Sequence, residues 1–418
     1  MYKLLLLFCL YIPFQVALNP AQGVDLASGR VFILILALMW LISGLKNRRV
    51  YVPARIQAAL ILSFLFLSVF SLFWANNTDW GTRKLLFLLS IFPIYFISAA
   101  ISKSGFNRIK IIKFLVWGAG LAAVIGIVQF LSQFFIGLDQ TAALWRTFIT
   151  PVFLGQTFSQ AVNDYPSWLV NIGGHDYLRA FATFPDPHMF SFYLGLALPL
   201  AVSLYSSLRK KTYLIFAAVI FLADLLTFSR GGYLGLIAGL IFLVLYFAIN
   251  KKISIKKILV GFILAIVAFV SVIISPVGQR FASSFNAEEG SNIGRYENWS
   301  QAINIIEDNP LGVGIGNYAY KIDPTANYRT PIYAHNLYLD IAAETGIINA
   351  LIFVLILIFS VRRFILKAKK DSVYFGGAAG LVIFSAHSIF DTAIYSVQVL
   401  PLLLIIIALS SNNNVKDN

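Results

Sequence analysis

Long apolar runs alternate with short polar ones along nearly the whole chain. Apolar spans fall at 3–18, 31–45, 56–74, 85–101, 111–135, 189–205, 213–227, 233–248, 258–274, 347–361, 374–390 and 395–409. Several are shorter than the roughly 20 residues of a full bilayer crossing, so their ends extend into flanking polar residues. The first run is followed soon by a second and shows no small-x-small cleavage site, so it reads as a retained helix rather than a signal peptide. The pattern predicts an all-α polytopic membrane protein of about 12 transmembrane helices.

Composition agrees. Apolar residues make up 59% of the 418 and charged residues 12%, against about 25% charge in ordinary soluble domains. One water-soluble core cannot bury that much apolar surface. A net charge of +14 would suit nucleic acid, but its placement points to a membrane. Alternate inter-span segments at 46–55, 102–113, 209–211, 251–257 and 362–370 carry 4, 4, 3, 4 and 5 Lys or Arg residues. With Lys3 and Lys416 they hold 22 of the 32 cations, whereas of the acidic residues only Asp371 and Asp417 fall on that side. The positive-inside rule places this side, and both termini, in the cytoplasm. The expected organisation is helices one to five in 1–135, an outer loop at 136–188, helices six to nine in 189–274, a large outer loop at 275–346, helices ten to twelve in 347–409 and a cytoplasmic tail at 410–418. Cys9 is the single cysteine, which excludes an internal disulfide.

The two long outer loops are rich in Gly, Pro, Asn, Tyr and Trp, too aromatic and too sparsely charged to read as disordered. The outer cations are Arg30, Arg83, Lys84, Arg146, Arg179, Arg230, Arg280, Arg295, Lys321 and Arg329. Eight of these ten are Arg, whereas the inner side has fifteen Lys and seven Arg. Arg, with its planar fork, is the better bidentate ligand for phosphate or carboxylate.

On the same side, Phe228-Ser229-Arg230-Gly231-Gly232 joins two spans at the outer surface. Arg230 has almost no loop through which to reach bulk water, and the glycines admit a ligand or another backbone. The alternative is an interfacial Arg snorkelling to water. Residues 295–309 read as an amphipathic outer helix, followed by the turn Pro310-Leu311-Gly312-Val313-Gly314-Ile315-Gly316-Asn317. Its glycines can present N–H groups to an oxyanion, or simply make a turn. His335-Asn336 precedes the tenth span, and the spacing predicts His335, Leu339 and Ala343 on one helical face, with Glu344 nearby. A histidine there is a general-base candidate. His175, Asp176, Asp186 and His188 show no compact metal-ligand spacing, so no metal site is expected. Asp224, inside the seventh span, reads as a relay or as a carboxylate hydrogen-bonded within the bundle.

From about Arg179 to the last helices, the chain resembles the O-antigen ligase and O-antigen polymerase superfamily of bacterial envelope glycan transferases. Three segments carry the resemblance: Ser229-Arg230-Gly231, similar to that family's Arg-bearing short outer loop; Arg295 to Trp299 with Pro310 to Gly314, similar to its large outer loop; and His335-Asn336, nine residues, then Gly346. Asn349 stands where the ligase branch has Gly, Thr or Tyr, and Arg179 to Pro187 resembles a stretch of the polymerase-like members.

The resemblance implies a type C-like membrane glycosyltransferase in the bacterial inner membrane, with its active site facing the periplasm and no cofactor. The donor is a glycan on polyprenyl diphosphate, and the acceptor a hydroxyl of another glycan, of lipid A core or of protein. Other polysaccharide-assembly proteins are implied as partners. It implies that His335, Arg230 and Arg295 are catalytic, and that Arg179, Arg280, Arg329, Asn336, Glu344, Gly314 and Asn317 bind substrate. Inversion without a metal is expected, because arginines can neutralise the leaving diphosphate. Polymerase is slightly favoured over ligase. A transporter or flippase is the rival class, although no two-fold repeat of broken helices is evident.

Overall fold

A computed structural model describes residues 1–21, 23–48, 53, 55–163, 166–249, 278, 290–328, 332–369 and 371–411. The protein is overwhelmingly helical. Among the described residues, seven helices are long and apolar enough to cross a bilayer: Ser28–Lys46, Ile56–Trp74, Thr78–Ile101, Gly105–Ile136, Pro187–Leu208, Arg230–Ile249 and Ile347–Ala368. Shorter apolar helices are Tyr2–Phe14, Val373–His387 and Val399–Ser410, and Lys211–Leu225 lies between two of the long ones. Eleven of the expected spans thus coincide with helix; the span at 258–274 lies outside the described residues.

The bundle is centred on Val399–Ser410, in which every residue is buried. A helix apolar on all sides is stable only when surrounded, and Pro93–Ile101, Pro187–Leu208, Ile347–Ala368 and Val373–His387 pack around it. Val373–His387 makes the closest approach to Pro187–Leu208, through small residues. A Cβ on Gly376 would lie 2.5 Å from the Pro199 carbonyl oxygen, and one on Gly380 2.9 Å from that of Leu196. Such stripes let helices meet backbone to backbone where lipid removes the hydrophobic drive for association. On the outside, Leu38, Leu45, Phe66 and Phe135 are exposed, as lipid-facing positions require.

Two departures from the predicted pattern concern connections. The first helix is shorter than the apolar run suggests: it ends at Tyr11, continues as a 3-10 turn to Phe14, and gives way to an antiparallel hairpin, Ala17–Ala21 with Val24–Ala27. Gly23 turns the hairpin with φ +76°. The segment 136–188 is a folded cap rather than an irregular loop. It contains the short helices Leu138–Leu144, Thr150–Leu154 and Gln156–Asn163 and a second hairpin, Leu169–Ile172 with His175–Leu178. These enclose their own small core of Trp145, Leu154, Val162, Trp168, Leu178 and Phe181. Gln129 and Gln133, inside Gly105–Ile136, anchor the cap by accepting from the N–H groups of Phe181, Ala182 and Leu178.

At the end of the bundle away from this cap, cations close helix C-termini. Arg363 and Lys367 donate to the Ser410 carbonyl, and Arg108 to that of Ser102. Positive charge there offsets the negative end of the helix dipole.

Candidate active site

The site is assembled at the opposite end, where Lys211–Leu225 turns into Arg230–Ile249. Phe228 takes a left-handed φ of +49°, an uncommon conformation for a bulky side chain. Ser229 then caps the new helix, accepting from the Gly232 N–H at 3.3 Å. The glycines predicted to admit a ligand or a backbone admit protein: a Cβ on Gly231 would lie 2.7 Å from the His387 ring. Arg230 is buried at the first helical position. A cation at a helix N-terminus opposes the dipole, so its place there does nothing for the helix itself.

Asp186 and Pro187 start the neighbouring helix. The Asp186 carboxylate accepts from the N–H groups of His188 and Met189 at 2.7 and 2.9 Å, and Pro187 occupies the first turn, the residue types that N-cap and N1 positions favour. Burial and the nearby Asp391 push Asp186 up to about 6, against the two N–H groups and Arg179. This start directs His188 into the site. Its Nδ1 lies 3.4 Å from Asp391 Oδ2 and 3.2 Å from Ser229 Oγ, and its Nε2 lies 3.5 Å from Arg179 Nη1.

His335 arrives from the other side. It does not share a helical face with Leu339 and Ala343, which corrects the reading from spacing. Asn336 is the N-cap, accepting from the N–H groups of Tyr338 and Leu339, and the helix runs Leu337–Thr345. His335 therefore precedes the helix, at a left-handed φ of +51°. The segment is clamped onto the end of Val373–His387: the Leu337 N–H donates to the Ser388 carbonyl, while Asp340 accepts from the Ala334 N–H and the Thr392 hydroxyl. That clamp brings His335 Nδ1 to 3.4 Å from Asp391 Oδ1 and leaves the His335 side chain 45% exposed.

Asp391 is the common partner of the two histidines. Burial alone would raise its pKa, but His188, His335 and Arg295 hold it well below the usual carboxylate range. In return, although burial and Arg295 act to lower the His335 pKa, the hydrogen bond and charge of Asp391 raise it above 6.5. Behind them His387, fully buried, stacks on Phe192 with ring centroids 3.5 Å apart and places Nε2 3.3 Å from Ser229 Oγ.

Of the other arginines expected in the site, Arg295 lies on the helix Gly290–Asp308, and its charge acts on His188, His335, His387 and Asp391. Its Nε and the Trp299 Nε1, one turn on, are buried without a hydrogen-bond partner among the described residues. Arg179 is buried and donates from Nε to the Thr227 carbonyl and from Nη1 to that of Ser167. Arg280 and Arg329 lie outside the described residues.

The Gly-rich turn serves as a connector. The N–H groups of Val313 and Gly314 donate to the carbonyls of Ala343 and Glu344, and the Asn317 side chain exchanges hydrogen bonds with the Asn77 backbone. Glu344 pairs with Lys84 at 2.7 Å, and the Lys84 ammonium sits 3.7 Å from the centre of the Tyr395 ring. Asp224 accepts from Ser191 at 2.6 Å inside the bundle, as one of its two readings expects.

The sequence reading missed His387 and Asp391, and it weighed His188 only as a metal ligand. His387 and Asp391 fall within and just after an apolar span. A His and an Asp four residues apart at the end of such a span were the available signal.

The fold and this cluster define a polytopic membrane protein with an Arg/His/Asp site at one end of its helices. Residues 214–354 match the family model described as O-antigen ligase. The chain is also similar to an O-antigen polymerase of Salmonella muenchen, 26% identical over 277 residues, 63% of this chain and 63% of that relative. The chain therefore spans less than two thirds of that relative's length. The two matches agree in placing the chain's similarity with the O-antigen ligase and O-antigen polymerase superfamily. The matched segment contains Arg230, Arg295 and His335 but neither His188 nor Asp391.

Proposed function

We propose that the protein is a membrane glycan transferase of the O-antigen polymerase or ligase type, which uses a polyprenyl-diphosphate-linked glycan as donor at the periplasmic face of the inner membrane. The reading is carried chiefly by one observation. Asp391 engages Nδ1 of a half-exposed His335 close to Arg295, whose Nε has no hydrogen-bond partner among the described residues.

A carboxylate on Nδ1 orients an imidazole so that Nε2 faces outward as a base. In the proposed step, His335 Nε2 takes the proton of the acceptor hydroxyl and the acceptor oxygen attacks the anomeric carbon from the face opposite the diphosphate. The bond from that carbon to the diphosphate oxygen breaks, and its electron pair stays on the diphosphate. Arg230 and Arg295 neutralise the charge that develops there. Arg179 adds positive charge from behind. The products are an inverted glycosidic bond and free polyprenyl diphosphate, with no metal required. Asn336 and Glu344 support the site by holding the helix Leu337–Thr345 and its surroundings in place.

His335→Ala and Arg230→Ala are expected to abolish transfer at normal membrane levels, measured with purified protein and lipid-linked donor. Wild-type transfer by either variant would overturn the assignment. We favour polymerase over ligase. In a deletion strain, accumulation of single lipid-linked repeats supports polymerase, whereas long lipid-linked polymer with bare core supports ligase.

A further inference from the structure

One carboxylate serves two histidines of unequal exposure, the His335 side chain at 45% and that of His188 at 19%. His335, half-exposed, meets Asp391 Oδ1, and His188 meets Oδ2, each at 3.4 Å. Apo hydrogen bonds of this length are common in catalytic groups that tighten with substrate. The environment of His188 sets its tautomer. Its Nε2 faces Arg179 Nη1 at 3.5 Å, and a guanidinium only donates. Nε2 therefore accepts, and the proton resides on Nδ1, directed at Asp391 Oδ2 and Ser229 Oγ. Arg179 cannot easily turn away, because the carbonyls of Thr227 and Ser167 hold it at 2.6 and 2.8 Å. Ser229 Oγ in turn lies 3.3 Å from His387 Nε2.

We propose that His188 is a positioning residue for His335. Its Nδ1–H fixes Oδ2 of Asp391 so that Oδ1 faces His335, and Arg179 sets its tautomer. On this assignment Arg179 acts through His188 and Asp391. The proposal rests on the reading of His335 as the base. The charged and titratable groups facing this chain are Arg179, Arg295, His387 and Asp186 around His188 and Asp391, with Arg295 and Asp340 around His335.

The test compares His188→Asn, His188→Leu and His335→Ala in purified full-length protein, reading kcat, KM for the lipid-linked donor, and the pH dependence of kcat/KM. An Asn amide N–H stands near the place of Nδ1 and should retain most of the rate. Leu fills the space without a donor and should lower kcat roughly 10- to 100-fold, as loss of an outer partner of a functional imidazole commonly does, with KM unchanged. With Oδ2 released, the acid limb of the Leu variant should also move down toward the ordinary histidine range. A Leu variant with wild-type kcat and an unmoved limb overturns the proposal, as do equal losses in Asn and Leu that track membrane level. If His335→Ala is itself active, the reading of the base fails. If His335→Ala is dead and His188→Leu is normal, only the positioning role fails.

Discussion

Asp391 Oδ1 lies 3.4 Å from Nδ1 of His335, a residue 56 positions earlier in the chain. Neither partner sits on a long helix. His335 precedes an N-cap, and Asp391 follows the last turn of Val373–His387. Their meeting depends on the Asp340 clamp, which ties Ala334 and Thr392 to one carboxylate.

A pH dependence follows from that contact. Asp391 raises the His335 pKa above 6.5, so the neutral imidazole needed by a base is lost as pH falls through a value above the ordinary one. Activity should rise with pH along that limb. In Asp391→Asn the charge is gone, and the limb should shift to lower pH while kcat falls. An unmoved limb in the pH–rate profile would separate His335 from Asp391. The same pair favours the fold most below the ordinary histidine pKa, and that contribution fades as pH rises through the raised one.

The arginines should not be replaceable by lysine. Arg295→Lys keeps the charge but loses the planar fork. A charge-assisted hydrogen bond contributes about 1.5–3 kcal/mol, so donor KM should rise on the order of 10- to 100-fold. Steady-state kinetics with varied lipid-linked donor measure this, and a wild-type KM would remove Arg295 from the donor site.

Asn336 acts as a cap in this structure. Asn336→Ala should cost about 0.5–2 kcal/mol of stability and loosen the register of His335, whereas Asn336→Asp keeps both acceptor contacts. Thermal unfolding in detergent, read beside activity, checks the pair. Equal loss of activity in both variants at unchanged Tm would instead point to direct substrate contact.

The backbone contact at Gly380 leaves no space for a side chain. Gly380→Ala puts a Cβ 2.9 Å from the Leu196 carbonyl oxygen, and a strain of about 1–3 kcal/mol is expected. Lower Tm and membrane yield, with residual activity per folded molecule, is the anticipated result.

Transfer should survive chelation. Activity unchanged after EDTA treatment agrees with arginines neutralising the leaving diphosphate. Loss on chelation, restored by a divalent cation, would assign that work to a metal.

Much of this architecture was legible along the chain, because membrane burial writes itself as long apolar runs. Arg230 and Arg295 stood out as cations among helix ends and aromatic positions, and His335 as a histidine at the membrane surface. The pairs Asn336-Leu337 and Asp186-Pro187 carry recognisable capping chemistry. The orientation of His335 was not legible: helical spacing put it on a face with Leu339, but the cap one residue later excludes it from the helix. Of the two readings of the alternating glycines, anion cradle or simple turn, the contacts favour the turn: the N–H of Gly314 meets the Glu344 carbonyl thirty residues away, and that of Gly312 meets Asn309.

Sequence alone determined a helical membrane protein with basic segments grouped at one end of its helices and an Arg- and His-bearing set at the other, because hydropathy and charge are local properties that lipid and water sort directly. Tertiary structure decided which of those polar groups meet. His188 and His335 come from segments far from Asp391 in the chain, and each taken alone is a single polar residue near an apolar run. The close packing of Val373–His387 against Pro187–Leu208 and Arg230–Ile249, possible where glycines let backbones approach, brings in His188, and the Asp340 clamp brings in His335, so that two histidines meet one carboxylate.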